Sequence, residues 1–212
     1  YAMMRVLVYW IPSTTAGFLL GIIVGSIAVI SAILATLYAF QQKDWRRLLS
    51  LSSAENASIA VLLISAALMA RAQNHMDLAG MATMIALIHM AAHSLAKGCM
   101  FLTADGIFKA RNSYDIKQMG IIKKTPIMAI GAVFASMSLA AIPPVCGYLS
   151  EWYAFELFFQ GFYLDSFVGR LDWAFFAAAL AISSAIALAV FIKAYGIGLL
   201  GKPDKIENEN PK

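Results

Sequence analysis

The chain has 212 residues, of which 61% are hydrophobic and only 13% are charged. Its mean hydropathy of +0.74 excludes an ordinary soluble domain. Apolar segments of about 20 residues, long enough to cross a bilayer, recur along it. The formal net charge of +4 comes without basic residues interleaved among aromatics, which argues against nucleic-acid binding. The composition therefore predicts an all-α, polytopic transmembrane helix bundle.

Five predicted helices follow the tail of a preceding one. Tyr1 to Trp10 has the character of that tail, and the polar stretch "IPSTT" closes it. Loops rich in Lys and Arg follow the first, third and fifth helices, which places these loops in the cytoplasm by the positive-inside rule. The predicted helices are Gly17 to Phe40, about Ser52 to Ala70, about Ala79 to Phe108, Pro126 to Leu164 and about Trp173 to Leu199.

The start of the second helix carries a candidate capping motif. Ser52 and Glu55 have the spacing of a capping box, in which a serine and an acid three residues later bind the free amides of a helix N-terminus. This interpretation gives Glu55 a structural role. The preceding loop carries Asp44, Arg46 and Arg47, which we interpret as charges at the cytoplasmic boundary, where the arginines either only orient the helix or have a further function.

The fourth predicted helix is too long for one crossing. From Pro126 to Leu164 it would extend about 60 Å, about twice the hydrocarbon thickness. The segment "IPPVCG" predicts a break, because Pro143 and Pro144 remove backbone donors and Gly147 tolerates the backbone that results. Interrupted membrane helices survive only where protein or a water-filled cavity satisfies their backbone groups, and they indicate ion paths in transporters.

The stretch "IHMAAHSLAKGCMFL" places three ionisable side chains in a nearly apolar helix. His89, His93 and Lys97 are four residues apart, so they form a ladder about 12 Å tall on one helix face. A charged group near the bilayer centre costs about 2.5 to 3.5 kcal/mol, so the pattern predicts a functional hydrophilic seam. The alternatives are interhelical hydrogen bonds for the histidines and snorkelling for Lys97, although about 15 Å separate it from Ile107 near the helix end.

Two acids follow the predicted break. Glu151 lies about 20 Å deep when counted back from Leu164. If both side chains are buried in the membrane, Lys97 and Glu151 could exchange charge states as protons pass. Glu156, five residues further on, is either a second acid in the path or a group at the outer rim.

Three motifs, in this order, resemble those of a known family. "DWRRLLSLSSAEN" looks like its D-x-K-R-L-L-A-Y-S-S-x-E-N stretch, "IHMAAHSLAKGCMFL" like its H-x-x-x-H-x-x-x-K-x-x-x-F-L helix, and "IPPVCGYLSEW" like its L-P-P-x-x-G-F-x-S-E-W segment. The family comprises the antiporter-like membrane subunits of respiratory complex I, cation/proton (Mrp) antiporters and membrane-bound nickel-iron hydrogenases. The ending "FIKAYGIGLLGKP" and the E-N pair favour the formate hydrogenlyase and hydrogenase-4 type.

The resemblance implies a proton channel built from two inverted five-helix repeats, each with one broken helix. The positions that match the family's motifs share a protonatable or charged side chain. They are Lys97 as the central channel lysine, His89 and His93 as the histidines lining the path, Glu151 as the terminal group of the broken helix, and Asp44 with Arg46 as a charged pair at the cytoplasmic boundary.

The resemblance also divides the chain. It implies that residues 1–12 end a preceding transmembrane helix, that residues 13–200 form the second repeat, and that residues 201–212 are a polar cytoplasmic tail. The chain would then be a fragment of a longer protein. "MGII" at Met119 to Ile122 replaces the usual M-G-G-L, and "ENAS" replaces E-N-I-G, which implies a different loop turn and helix contact but touches none of the proton groups.

The implied function is proton translocation through a membrane half-channel, coupled to electron transfer in partner subunits of a hydrogenase or NADH:quinone oxidoreductase complex in a prokaryotic inner membrane. We expect no redox centre, cofactor or metal on this chain, and its two cysteines lack metal-ligand spacing. Expected partners are the lipid bilayer, other membrane subunits, a hydrophilic electron-transfer arm and protons. Two alternatives remain: a subunit that exchanges sodium or potassium for protons, and a non-conducting structural anchor of a hydrogenase complex.

Overall fold

The computed structural model describes residues 1–116 and 125–200, and the elements in this part of the chain are helices. This confirms the predicted all-α, polytopic bundle. The elements are α1 (Ala2–Met4), which continues as a π-helix (Arg5–Trp10), α2 (Thr15–Gln41), α3 (Trp45–Ala72), α4 (Met76–Arg111), α5 (Pro126–Leu139), α6 (Cys146–Phe159), which continues as a 3₁₀ turn (Gln160–Tyr163), and α7 (Phe167–Lys193), which continues as a π-helix (Ala194–Leu199).

Four helices of the described chain are long and apolar enough to cross a membrane. They are Thr15–Gln41, Trp45–Ala72, Met76–Ala110 and Phe167–Leu199. α5 and α6 have 14 residues each, which is about 21 Å and too short for either to cross alone. The chain is therefore a multi-pass membrane protein whose predicted fourth helix is a pair of half-helices.

α3 lies at the centre of the bundle. It packs along α2 on one side and α4 on the other, and its residues Leu63, Ala66 and Met69 are fully buried. α2 approaches α3 closely where Gly21 faces it, because a Cβ there would lie 2.5 Å from Cγ of Met69. Small residues let membrane helices approach in this way. α6 and α7 complete the enclosure on the remaining side, where α6 contacts α4 and α7 contacts both α3 and α6.

The break between α5 and α6 confirms the predicted interruption at Pro143-Pro144. The backbone groups freed by the break find partners nearby: the amide of Ile142 donates to the carbonyl of Met137 at 2.9 Å, and the amide of Gly147 donates to Oγ of Ser138 at 3.2 Å. A break inside a membrane is tolerated when protein groups satisfy the backbone in this way.

Gly147 has a different role at the break from the one we predicted. Its backbone is not in the left-handed region that favours glycine, and its importance comes from the space around it. A Cβ at this position would lie 1.8 Å from the carbonyl oxygen of Ser138. Glycine is therefore needed because α5 and α6 approach each other closely here.

The predicted start of the second helix is wrong. α3 begins well before Ser52, directly after Asp44, whose carboxylate accepts hydrogen bonds from the amides of Arg46 at 2.8 Å and Arg47 at 3.3 Å. Asp44 is thus the N-cap. Ser52 and Glu55 lie in the helix interior, where no free amides remain to be capped, so they do not form a capping box.

The fifth predicted helix also begins earlier than expected. α7 starts at Phe167 rather than near Trp173, because Oγ of Ser166 accepts a hydrogen bond from the amide of Gly169 at 3.3 Å and caps the helix there. Trp173 is instead fully buried within α7.

Two features of the sequence prediction lie outside the described residues. They are the altered "MGII" turn at Met119 to Ile122 and the polar tail at 201–212. The division of the chain into a preceding helix (1–12) and a five-helix repeat (13–200) also stays a prediction.

Candidate functional site

Five ionisable side chains are buried together in the interior of the bundle. We call this set the central cluster, and each member has 9% or less of its surface exposed. Buried ionisable groups in a membrane protein are costly and mark ion or proton paths by default. The members are Glu55 from α3, His89, His93 and Lys97 from α4, and Glu151 from α6.

His89 joins α4 to the first turns of α6. Its Nδ1 lies 3.0 Å from Oγ of Ser150, and that hydroxyl donates its own proton to the carbonyl of Gly147 at 2.9 Å. Nδ1 of His89 and the Gly147 carbonyl thus share the Ser150 hydroxyl, which joins α4 to the start of α6. Nε2 of His89 is buried in the interior of the bundle.

His93 lies one helical turn from His89 and from Lys97 on α4. Its Nδ1 is buried and finds no hydrogen-bond partner in the described ranges. The interhelical hydrogen bond that we considered as an alternative for both histidines is thus present for His89 but not at this nitrogen of His93. Buried polar atoms usually bind protein or water, so an unpaired ring nitrogen fits a position on a hydrated path.

Lys97 ends inside the bundle. Its Nζ donates to the carbonyl of Leu49 on α3 at 2.6 Å and lies 5.9 Å from the centre of the Phe191 ring on α7. Only 5% of Lys97 is exposed. The side chain therefore crosses from α4 to α3 instead of following its own helix toward water, which is what snorkelling would require.

Glu151 lies on the second turn of α6, directly after the break. Its carboxylate accepts a hydrogen bond at Oε2 from Oγ of Ser184 on α7, at 2.5 Å. The broken helix thus delivers an acid to the interior, as the sequence predicted, and α7 holds it there.

Glu55 is a full member of the central cluster, although the sequence interpretation gave it only a capping role. It is 1% exposed, and its Oε2 accepts a hydrogen bond from Nδ2 of Asn56 at 2.8 Å. Its Oε1 lies 3.5 Å from Oγ of Ser183 on α7. Ser183 is the neighbour of Ser184, which binds Glu151, so α7 contacts both acids. The signal that could have revealed this was Asp44, which is an N-cap candidate far enough upstream to leave Glu55 mid-helix.

The charges predicted at the cytoplasmic boundary lie apart from the central cluster. Nη2 of Arg46 forms an ion pair with Oδ2 of Asp44 at 3.0 Å, and the guanidinium stacks over the Tyr114 ring at 4.2 Å. The hydrogen bond from Arg46 is the main reason that the pKa of Asp44 is lowered. Arg47 is exposed, and its backbone amide takes part in the same cap. These residues fasten the start of α3 to the segment after α4.

The remaining predicted residues lie on or near the surface. Glu156 is exposed on α6 and is not part of the central cluster. Pro143 and Pro144 are exposed at the break. No group of three or more His, Cys, Asp or Glu residues arranged to hold a metal occurs in the part of the chain that the structure describes.

Sequence reasoning missed Lys193. Its Nζ donates to the carbonyls of Phe40 at 2.5 Å and Gln42 at 3.0 Å, at the end of α2. A cation at a helix C-terminus satisfies free carbonyls and opposes the negative end of the helix dipole. Lys193 therefore joins α7 to α2, and the "FIK" of the closing motif has a structural explanation.

Comparison with known proteins relates this site to a family. Residues 1–169 match the family described as NADH:quinone oxidoreductase/Mrp antiporter, transmembrane. Hydrogenase-4 component B of Escherichia coli is 33% identical over 184 residues, which cover 86% of this chain and 27% of that protein. Formate hydrogenlyase subunit 3 of the same organism is 33% identical over 191 residues, or 90% of this chain and 31% of that protein.

More distant relatives belong to other complexes. NADH-quinone oxidoreductase subunit N of Desulforudis audaxviator is 29% identical over 132 residues, which cover 62% of this chain and 24% of that protein. The chain thus spans between about a quarter and a third of the length of these curated relatives. The match to the family includes all five members of the central cluster, which lie between residues 55 and 151.

Proposed function

The chain belongs to the NADH:quinone oxidoreductase/Mrp antiporter transmembrane family and is a multi-pass protein of a prokaryotic membrane; from this premise we propose that it moves protons as part of an antiporter-like subunit. The observation that carries the proposal is the central cluster, five buried ionisable side chains gathered beside a break in a membrane helix. Neither lipid packing nor bundle stability needs such a cluster, and each member is costly to bury.

The geometry supplies groups that can hold a proton at several depths. On α4, the histidines and Lys97 rise about 6 Å at each step. The buried His89 ring can accept a proton and return it when a neighbour becomes a stronger acceptor. Glu151 holds a proton at the helix break, where α6 meets α4 through the contact between Ser150 and His89. These residues form the proposed path through one half of the membrane subunit.

The driving force would come from outside this chain. Hydrogenase-4 component B and formate hydrogenlyase subunit 3 are named as parts of hydrogen-metabolising complexes, which supports a role beside electron-transfer subunits. We propose that electron transfer in such partners changes the charge of the central cluster, and that this chain itself holds no redox cofactor. A membrane potential acts on the same protons with about 2.3 kcal/mol per charge per 100 mV.

Substitution of the two ends of the path tests the proposal. In the complex that contains the full-length protein, Lys97→Ala and Glu151→Ala should each lower the number of protons pumped per electron at least about tenfold, because each removes a proton-holding group. Pumping is measured as acidification of inverted vesicles, alongside the rate of electron transfer. Lys109→Ala is the matched control, since Lys109 is an exposed lysine of the same helix that pairs with Asp105 at its surface.

The result also separates the alternatives. Normal pumping in both variants, with normal assembly, would leave only a structural anchor. Pumping that requires sodium would favour cation/proton exchange. A Na(+)/H(+) antiporter protein of Bacillus subtilis supports that alternative. It is 24% identical over 138 residues, which cover 65% of this chain and 17% of that protein.

A further inference from the structure

We propose that Glu55 is the proton carrier between Lys97 and Glu151. This inference rests on the proposed function and adds to it a specific order of transfer. A carrier is needed because Lys97 and Glu151 have separate hydrogen-bond partners. Lys97 hydrogen-bonds to Leu49 on α3, whereas Glu151 hydrogen-bonds to Ser184 on α7.

Glu55 lies between the elements that hold both ends. It is on the same helix as Leu49, whose carbonyl binds Lys97, and it contacts Ser183 of α7, the neighbour of Ser184, which binds Glu151. A carboxylate in this position can accept a proton from an ammonium on one side and give it to a carboxylate on the other. Burial to 1% exposure keeps that exchange away from bulk water.

Two consecutive serines of α7 each contact one of the two acids. Oγ of Ser183 lies 3.5 Å from Oε1 of Glu55, and Oγ of Ser184 lies 2.5 Å from Oε2 of Glu151. A hydroxyl donates and accepts hydrogen bonds at the same time, so it can relay a proton without binding it permanently. One turn of α7 therefore contacts both carboxylates at once.

On the α3 side, Ser52 lies along the helix between Glu55 and the residue that binds Lys97. Ser52 lies three residues after Leu49, whose carbonyl binds Lys97, and three residues before Glu55, with a rise of about 4.5 Å for each step. Oγ of Ser52 is buried and has no hydrogen-bond partner within the described ranges. Asn56 fixes the other side of the Glu55 carboxylate, because its Nδ2 bonds Oε2 at 2.8 Å and the carbonyl of Ser52 at 2.9 Å.

The proposed transfer conserves charge and atoms. The Lys97 ammonium gives one proton to the Glu55 carboxylate, which leaves a neutral amine and a neutral carboxylic acid. Glu55 then gives that proton to the Glu151 carboxylate and returns to its charged form. One proton has moved from Lys97 to Glu151, and no electron or other reactant takes part.

Neutralisation of Glu55 tests the inference in the full complex. Glu55→Gln keeps the size of the side chain and a contact to Asn56 but cannot hold a proton, so pumping per electron should fall at least about tenfold. Glu55→Asp restores a carboxylate and should recover a measurable part of the pumping. Asp105→Asn is the control, because Asp105 is an exposed acid of α4 whose carboxylate pairs with Lys109.

The serine contacts provide a second, milder test. Ser183→Ala removes a hydroxyl that contacts Glu55 and should slow pumping without stopping it, because water can occupy the space and replace the relay. Ser94→Ala is its matched control, since Ser94 is exposed and its hydroxyl donates to the carbonyl of Met90 on its own helix. Electron transfer and assembly are measured in parallel for every variant.

The outcomes distinguish this inference from the proposed function. If Glu55→Gln pumps normally while Lys97→Ala and Glu151→Ala do not, Glu55 is no carrier and the wider proposal stands. Normal pumping in all three would overturn both. If Glu55→Gln fails to assemble, Ser183→Ala decides: slower pumping supports the relay through α7, and unchanged pumping contradicts it.

Discussion

At the scale of single residues, identical chemical groups in this bundle serve different ends according to where the backbone places them. Asp44 and Glu55 are both acids of the same stretch, yet Asp44 caps α3 at its exposed end and Glu55 is buried beside Asn56. An acid at a helix N-terminus satisfies free amides and is stabilising. An acid in the interior has no such stabilisation, so its presence at Glu55 requires a functional reason.

Gly147 permits a prediction at this scale. Gly147→Ala should destabilise the protein by about 1 to 3 kcal/mol or more, because its Cβ would collide with the Ser138 carbonyl and force α5 away from α6. The shift would also move Glu151, so pumping should decline with stability. Thermal unfolding of the purified complex measures the first effect.

The matched control for that variant is Gly80→Ala. Gly80 lies on α4 with open space around the position of a Cβ, so alanine there should be neutral or slightly stabilising through its higher helix propensity. Equal effects of the two substitutions on the melting temperature would contradict the close approach of α5 and α6.

The sequence allowed some residues of the site to be predicted and concealed others. His89, His93 and Lys97 were detectable because four-residue spacing in an apolar helix has no purely structural explanation for all three. Glu55 was misinterpreted because its spacing from Ser52 also fits the local pattern of a capping box. A local pattern cannot tell whether a helix has already begun, and that depends on the cap at Asp44.

At the scale of elements, the helix ends are fixed by side chains that satisfy free backbone groups. Asp44 and Ser166 cap the starts of α3 and α7, and Lys193 satisfies carbonyls at the end of α2. The break in the fourth predicted helix was accessible from the sequence, because its length exceeded one crossing and Pro143-Pro144 marked the point. The helix starts were less accessible, because Ser, Asp and Glu recur near each of them.

The cap of α3 gives a prediction with a definite pH dependence. Asp44→Ala should cost about 1 kcal/mol of stability, because it removes the N-cap, whereas Asp44→Asn should keep most of it. The pKa of Asp44 is lowered in the folded protein, mainly by the hydrogen bond from Arg46. The charge of Asp44 therefore stabilises the folded protein at pH values above the unfolded pKa, and this stabilisation is lost as pH falls through the folded pKa.

Melting curves of the wild type and the two variants at neutral and acidic pH measure this effect. The difference between wild type and Asp44→Asn should shrink toward low pH, and the exposure of Arg46 keeps it small at any pH. A gap that widens on acidification would contradict the assignment of the charge effect to Asp44.

At the scale of the whole molecule, the two ends of the bundle are fastened by different contacts. At one end, the amide of Trp45 donates to the carbonyl of Tyr114, and Lys193 binds the end of α2. At the other end, Arg71 donates to the carbonyl of Ile11, and the amide of Ser166 donates to Gln73. The ends that the loop charges predicted to share a side of the membrane are therefore in contact, and the central cluster lies between them.

The orientation of the bundle is the last prediction. The end that carries Asn112 holds most of the basic loop residues, so the positive-inside rule places it in the cytoplasm and Asn74 on the opposite side. Both asparagines are exposed and have left-handed backbones after a helix, so cysteine at either position carries a similar conformational cost. In full-length protein with Cys99 and Cys146 replaced by serine, Asn74→Cys should react with a membrane-impermeant maleimide in spheroplasts, and Asn112→Cys only in inverted vesicles. The reverse pattern would contradict the orientation that the loop charges predict.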